Sequence, residues 1–168
     1  MHGVPKRDGA LCKVKLFWVM LAGVANLVFA DALCKRLAVL KLRGVASVPV
    51  IDGFFDLCYV ENRGCAWGML QGHTWPLSFF GVLALAFLVW KREAVFGRSV
   101  LAPVLMYAGI AGNTIDRICY GFVVDFFDFH WYGSHFPCFN LADAFICVAA
   151  GLMLLDSFLK PDRKRRNS

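Results

Sequence analysis

A chain of 168 residues is one domain's worth of protein. Its 59% hydrophobic and 18% charged residues, with a mean hydropathy of +0.59, exclude an ordinary soluble domain, in which about a quarter of residues are charged. The formal charge of +6 does not make a nucleic-acid face, because Lys and Arg lie in short runs beside apolar segments and not in one patch.

The sequence predicts a membrane protein of the all-α class, a single domain over residues 1–168 with four spans. The first runs from Leu16 to about Leu33, long enough for a helix to cross roughly 30 Å of hydrocarbon at ~1.5 Å per residue. Within the next segment, residues 45–62 are rich in Val, Ile, Phe and Tyr and are broken by Pro49 and Gly53. They read as two short strands around a turn. Ala66 to Leu70 reads as one helical turn. The remaining spans are 75–90, closed by Lys91-Arg92, then about 100–117, and 139–159, closed by Lys160-Pro161 and a basic tail. The N-terminus, the 91–98 loop and the tail hold 12 of the 18 Lys and Arg. That bias predicts both termini in the cytoplasm, and residues 34–74 and 118–138 outside. Sixteen Phe, five Trp and four Tyr suit a lipid-facing surface with aromatic belts.

A cleavable signal peptide competes for the first span, since Lys13 and Lys15 precede an apolar run that ends in Ala30-Asp31-Ala32. Asp31 at the cut site and the length of the run argue against it. Nor does Cys34 make a lipid-modification site, because Leu33 stands where a small residue is wanted.

Seven Cys show no CxxC and no zinc-finger spacing. Cys147, in an apolar segment, reads as a small buried hydrophobe. Cys58, Cys65, Cys119 and Cys138 fall in or beside segments placed outside, where disulfides form, but spacing does not say which pair. Asp128, His130, His135 and Cys138 match no standard metal site.

Charges near a bilayer are costly, so those present have a partner or a task. Here they gather at the predicted outer ends of the spans: Asp31 and Lys35, then Asn113, Asp116 and Arg117, then Asn140 and Asp143, with Asp125 and Asp128 between. Singly each has a structural reading. Asn140 is a good N-cap with Asp143 at N3. Gly112 to Arg117 can end the third span with an ion pair, and Asp31 with Lys35 makes an i,i+4 salt bridge. Together, so many acids and amides at one depth suggest a site. Two carboxylates held close share a proton, one taking a proton from water while the other donates to a carbonyl oxygen, which is general acid–base hydrolysis of an amide. No G-x-S-x-G or H-E-x-x-H is present.

These residues fall into blocks that resemble the signal peptidase II family. Asp31 to Lys35 resembles its D-x-x-x-K, and Val60 to Gly68 (VENRGCAWG) its N-x-G-A-A-F-G-like stretch. Gly112 to Arg117 (GNTIDR) and Val123 to Phe126 (VVDF) resemble the third block, and Phe139 to Asp143 (FNLAD) the fourth. Cys65 and Trp67 stand where Ala and Phe are common, and Cys34 where Thr is.

The resemblance implies an aspartic endopeptidase without metal or cofactor, with Asp125 and Asp143 as the catalytic dyad. Asn62, Asn113, Asp116, Arg117 and Asn140 would support or line the site, and Asp31 with Lys35 would be structural or substrate-positioning. It further implies a substrate, a diacylglyceryl-modified prolipoprotein cut before the lipidated Cys, and a small external β-cradle with a short surface helix. The setting implied is a monomer in the bacterial cytoplasmic (inner) membrane, in contact with membrane lipid, its site near the outer face. The rival readings are a small ion or proton transporter and a structural membrane subunit. The first would spread polar groups through the bilayer depth, and the second would tolerate loss of both aspartates.

Overall fold

A computed structural model describes residues 7–65 and 69–159, with side chains from residue 11 onward. In chain order the elements are α1 (Arg7–Leu42), β1 (Val48–Ile51), β2 (Phe55–Asn62), α2 (Thr74–Trp90), α3 (Arg92–Phe96), α4 (Leu101–Tyr120), β3 (Val123–Trp131), β4 (Ser134–His135) and α5 (Leu141–Leu159). The expected helical turn at 66–70 and the basic tail fall largely or wholly outside the described residues.

Two helices, Leu11–Leu42 and Leu141–Leu159, are long and apolar enough to cross a membrane, and Thr74–Trp90 is a shorter apolar helix. The protein is helical, with a small sheet.

The first helix runs well past the expected end near Leu33. Nothing from Cys34 to Leu42 breaks a helix, and Lys35, Arg36 and Lys41 are good helix formers. The stop comes at Gly44, whose φ of +79° suits glycine. This extension is a platform for the sheet. Ala38 and Leu42 pack against Val124 and Phe126 of β3, with Leu57 and Tyr59 of β2 at the margin.

The two strands expected in 45–62 are present, and the sheet is larger than expected. Its order is β1-β2-β3-β4, all antiparallel. Val60 lies opposite Asp125 and Asn62 opposite Val123, across a β2–β3 pairing with a register shift. The helix expected over about 100–117 also overshoots: α4 continues to Tyr120 and ends on Gly121, left-handed at φ +79°, whose N–H bonds the Arg117 carbonyl.

α4 packs against α1, α2 and α5. Small residues let the backbones approach, as between helices in lipid. Ala108, Ala142 and Ala149 are fully buried. A Cβ on Gly109 would collide with the Ala142 carbonyl and lie 2.6 Å from Ile146 Cγ1, whereas one on Gly151 meets nothing within 4 Å. Gly109→Ala is therefore expected to destabilise by about 1–3 kcal/mol through overpacking. Gly151→Ala should be neutral or stabilising by up to about 1 kcal/mol. Thermal unfolding in matched detergent compares them, and equal midpoints would contradict the close approach.

Cys147 corrects an expectation. It is exposed on α5, not buried. An apolar helix in lipid needs no polar face, so hydropathy alone does not say which side is packed.

Candidate active site

Strand alternation separates the two faces of β3. Val124 and Phe126 face α1, which sends Asp125 to the opposite side, where it is only 2% exposed. The backbone then ties this strand to the start of α5. Phe139 N–H bonds the Phe127 carbonyl at 3.2 Å, and the Phe139 carbonyl accepts from Phe127 N–H at 2.9 Å. That bridge brings Asp125 and the Asn140–Asp143 turn together.

Asn140 caps α5 as its position predicted. Its Oδ1 accepts from Asp143 N–H at 3.0 Å, and Asp143 Oδ2 accepts from Asn140 N–H at 3.1 Å, a reciprocal capping arrangement. Because Oδ1 is committed to a donor, the Asn140 amide can turn only one way. Its Nδ2 donates to Asp125 Oδ1 at 2.7 Å and to Asn113 Oδ1 at 3.2 Å. One fully buried residue thus bonds both aspartates.

Asn113, on α4, is fixed by the same logic from the other side. Lys35 has donors only, and its Nζ bonds Asn113 Oδ1 at 2.9 Å. The Asn113 Nδ2 is then left to donate to Asp143 Oδ1 at 2.7 Å. Asn62 Nδ2 completes the set, donating to Asp125 Oδ2 at 2.9 Å, while its Oδ1 accepts from Gly64 N–H.

The charges behind this layer are paired. Lys35 Nζ lies 2.7 Å from Asp31 Oδ2 and 2.7 Å from Asp116 Oδ2. The contact with Asp116 is an ion pair without hydrogen-bond alignment, since that oxygen has no hydrogen-bond partner. Asp31 goes beyond the expected i,i+4 pair. Its Oδ1 accepts from Ala142 N–H at 2.9 Å, satisfying a first-turn donor of α5 from 111 residues away. Asp116 turns to Lys35, and Arg117 donates to the carbonyls of Gly64 (2.8 Å) and Asn113 (3.3 Å).

All nine candidate residues therefore belong to one connected region, and Asp125 and Asp143 both line a cleft of about 640 Å³. Its apolar wall includes Leu77, Ile110, Ile146 and Val148. Burial pushes the Asp125 carboxyl up to about 6. The charge of Asp143 pushes the same way, and the bonds from Asn62 and Asn140 oppose it.

Of the four residues weighed as metal ligands, Asp128 and Cys138 come together, their ligand atoms within 4.8 Å of each other and of Cys58 Sγ, while the two imidazoles bond different carboxylates. His130 Nε2 lies 3.2 Å from Asp56 Oδ1, whereas His135 Nδ1 lies 2.9 Å from Asp128 Oδ1. Cys138, weighed from the sequence only as a thiol or metal ligand, lines the cleft beside Phe136 and Pro137, which the sequence did not single out. Their place just before the Asn140 cap is the only signal that Phe136 and Pro137 carry.

Residues 24–159 match the family described as Signal peptidase (SPase) II. A protein named lipoprotein signal peptidase from Syntrophotalea carbinolica is 40% identical over 151 residues, covering 85% of this chain and 92% of its own. One of the same name from Shewanella loihica is 41% identical over 154 residues, 87% of each. A solved structure described as a bacterial membrane enzyme superposes with a TM-score of 0.72 at 26% identity, over 89% of this chain and 93% of that one. With its family match, its relatives and its fold in agreement, the chain belongs to the signal peptidase II family of membrane hydrolases.

Proposed function

We propose that the chain is an aspartic endopeptidase that removes the signal peptide from a diacylglyceryl-modified prolipoprotein, cutting before the lipidated Cys. Asp125 and Asp143 activate the water. The observation that carries this reading is Asn140, one buried residue whose side-chain amide bonds the Asp125 carboxylate and whose backbone N–H bonds that of Asp143, both carboxylates lining one cleft. Asp143, at the positive end of α5 and accepting two N–H donors, carries the negative charge. It takes a proton from water as the water oxygen bonds to the scissile carbonyl carbon. Asp125 gives its proton to the carbonyl oxygen. As the C–N bond breaks, Asp143 returns its proton to the leaving amine, and Asp125 takes one back from a hydroxyl of the tetrahedral intermediate, which departs as the carboxylic acid. The apolar wall takes the side chains of the signal peptide. Arg117 lines the same cleft, where its guanidinium offers a donor to a substrate carbonyl.

In this reading the whole chain is one domain and acts as a monomer without metal or cofactor. α1, α2, α4 and α5 cross the cytoplasmic membrane with both termini inside, and the dyad lies near the outer face. The Lys and Arg bias of the N-terminus, 91–98 loop and tail supports that orientation. Clustering of the buried polar groups around Lys35 and Asn113 favours a peptidase over an ion path through the bilayer.

The test is incubation of purified enzyme with a diacylglyceryl prolipoprotein, read by mass spectrometry. Cleavage directly before the modified Cys is expected, and a substrate left intact would refute the reading. The pH profile adds a sign. The dyad works with one proton, and Asp125 loses it as pH rises through about 6. kcat/KM is thus expected to fall about tenfold per pH unit on that limb. A profile flat from pH 5 to 9 would contradict the assignment.

A further inference from the structure

Apart from the carboxylates, two thiols face each other across the rim of the cleft. Cys58 of β2 and Cys138, just before the Asn140 cap, are 80 positions apart in sequence, yet their sulfurs lie 3.3 Å apart. Both are half-buried, and Cys138 lines the cleft and an adjoining cavity of about 460 Å³ bounded by Glu61, Gln71 and His135. Either sulfur can donate to the other, but Cys138 lines both cavities and Cys58 lines neither, so an incoming reagent reaches Cys138 first. An accessible sulfur beside a second thiol that can resolve an adduct is the arrangement thiol–disulfide exchange requires.

We propose that Cys58 and Cys138 form a reversible disulfide that clamps the rim of the site. The Cys138 thiolate attacks one sulfur of an incoming disulfide and expels one thiolate. Cys58 then loses its proton and attacks the Cys138 sulfur, expelling the second. The incoming disulfide gains two electrons and leaves as two thiols, and the protein loses two electrons and two protons. The new bond joins β2, which carries Asn62, to the lead-in of α5, which carries Asn140. Those are the two amides that bond the two oxygens of Asp125. Without it, the 136–138 segment is tied by the Phe136 N–H bond to the Phe129 carbonyl and by the bridge at Phe139. The Asp128 carboxylate, also within 4.8 Å of the sulfurs, raises a metal site as the alternative. His135 Nδ1 bonds both of its oxygens, at 2.9 and 3.0 Å, and it is the direct 3.3 Å contact between the sulfurs that favours the disulfide.

In the cell the bond depends on this face lying outside the cytoplasm, where disulfides persist. The test does not, and it needs no turnover, so loss of the peptidase reading would leave it decided on its own terms. Full-length enzyme in detergent is treated with oxidised glutathione, denatured and alkylated with a polyethylene-glycol maleimide. Two of the seven thiols should be protected, with a Cys58–Cys138 cross-linked peptide in the digest. Cys58→Ser should instead trap glutathione on Cys138. Reduction should lower the thermal midpoint of the oxidised wild type by several degrees and leave that of Cys58→Ser unchanged. Seven reactive thiols after oxidation, an undiminished pair in Cys58→Ser, a midpoint insensitive to reductant, or purified enzyme carrying zinc on both thiols would each overturn the proposal.

Discussion

Asp143→Asn is expected to lower turnover on the order of 10⁴-fold in a protein that still folds, and Asp125→Asn to do the same. General acid–base groups contribute roughly 10²–10⁴-fold each, and members of one unit fail together. Stability should barely move at Asp125 and should fall at Asp143, though by less than unfolding requires. Asp125 is nearly inaccessible, and holding its carboxyl up to about 6 against an ordinary value of 3.8 corresponds to a burial cost of about 3 kcal/mol when it is ionised. An Asn removes that cost, which is present above pH 6 and absent below 3.8. It also turns an NH₂ toward a donor, Asn62 Nδ2 or Asn140 Nδ2, losing a bond to a charged group worth about 1.5–3 kcal/mol. The two offset. At Asp143 an Asn keeps an acceptor for the cap but turns its NH₂ toward Asn113 Nδ2, forfeiting a bond to a charged group worth about 1.5–3 kcal/mol besides about 0.3–1 kcal/mol of interaction with the helix dipole. Turnover and thermal midpoint measured on the same preparations check this. Retained turnover in either variant contradicts the dyad, whereas an unfolded variant contradicts the stability argument alone.

The largest stability effect belongs to Lys35→Met. Its ammonium is 4% exposed and faces two carboxylates at 2.7 Å. Removing one partner of a buried ion pair leaves uncompensated charge, a loss of about 3–5 kcal/mol. The damage reaches the dyad through Asn113, because without the Lys35 donor only the longer 3.2 Å bond from Asn140 Nδ2 fixes which end of the amide faces Asp143. A flipped Asn113 presents an oxygen to a carboxylate. Adding Asp116→Asn to Lys35→Met removes one of the stranded charges, so the double variant is expected to regain part of the midpoint but little of the turnover. Parallel recovery of both would mean that Lys35 acts on folding alone.

Local spacing alone carries much of the site. N-x-x-D at the start of α5 is a capping signature whatever the fold, and Asp31 with Lys35 shares a helix face by geometry. The two strands of 45–62 follow from composition and their breakers. What spacing hides is non-local. The run Val123–Trp131 is apolar at most positions, so its strand period is masked, and only pairing with β2 and Phe139 makes it a strand with Asp125 aimed at the cleft. No spacing places Asp31 on the Ala142 N–H, or Cys58 on Cys138. The exposed Cys147 and the long α1 have one cause between them: in an apolar helix, neither the packed face nor the point of departure from lipid is marked by a change of period.

The proposed shared proton is tested by infrared titration of the protonated-carboxyl C=O band, as the difference between wild type and Asp125→Asn. A band that is present below about pH 6 and lost above it, and that is missing in the variant, is the predicted result. A difference spectrum without a carboxyl band at pH 5 would place no proton on Asp125, and the two-aspartate account would fail.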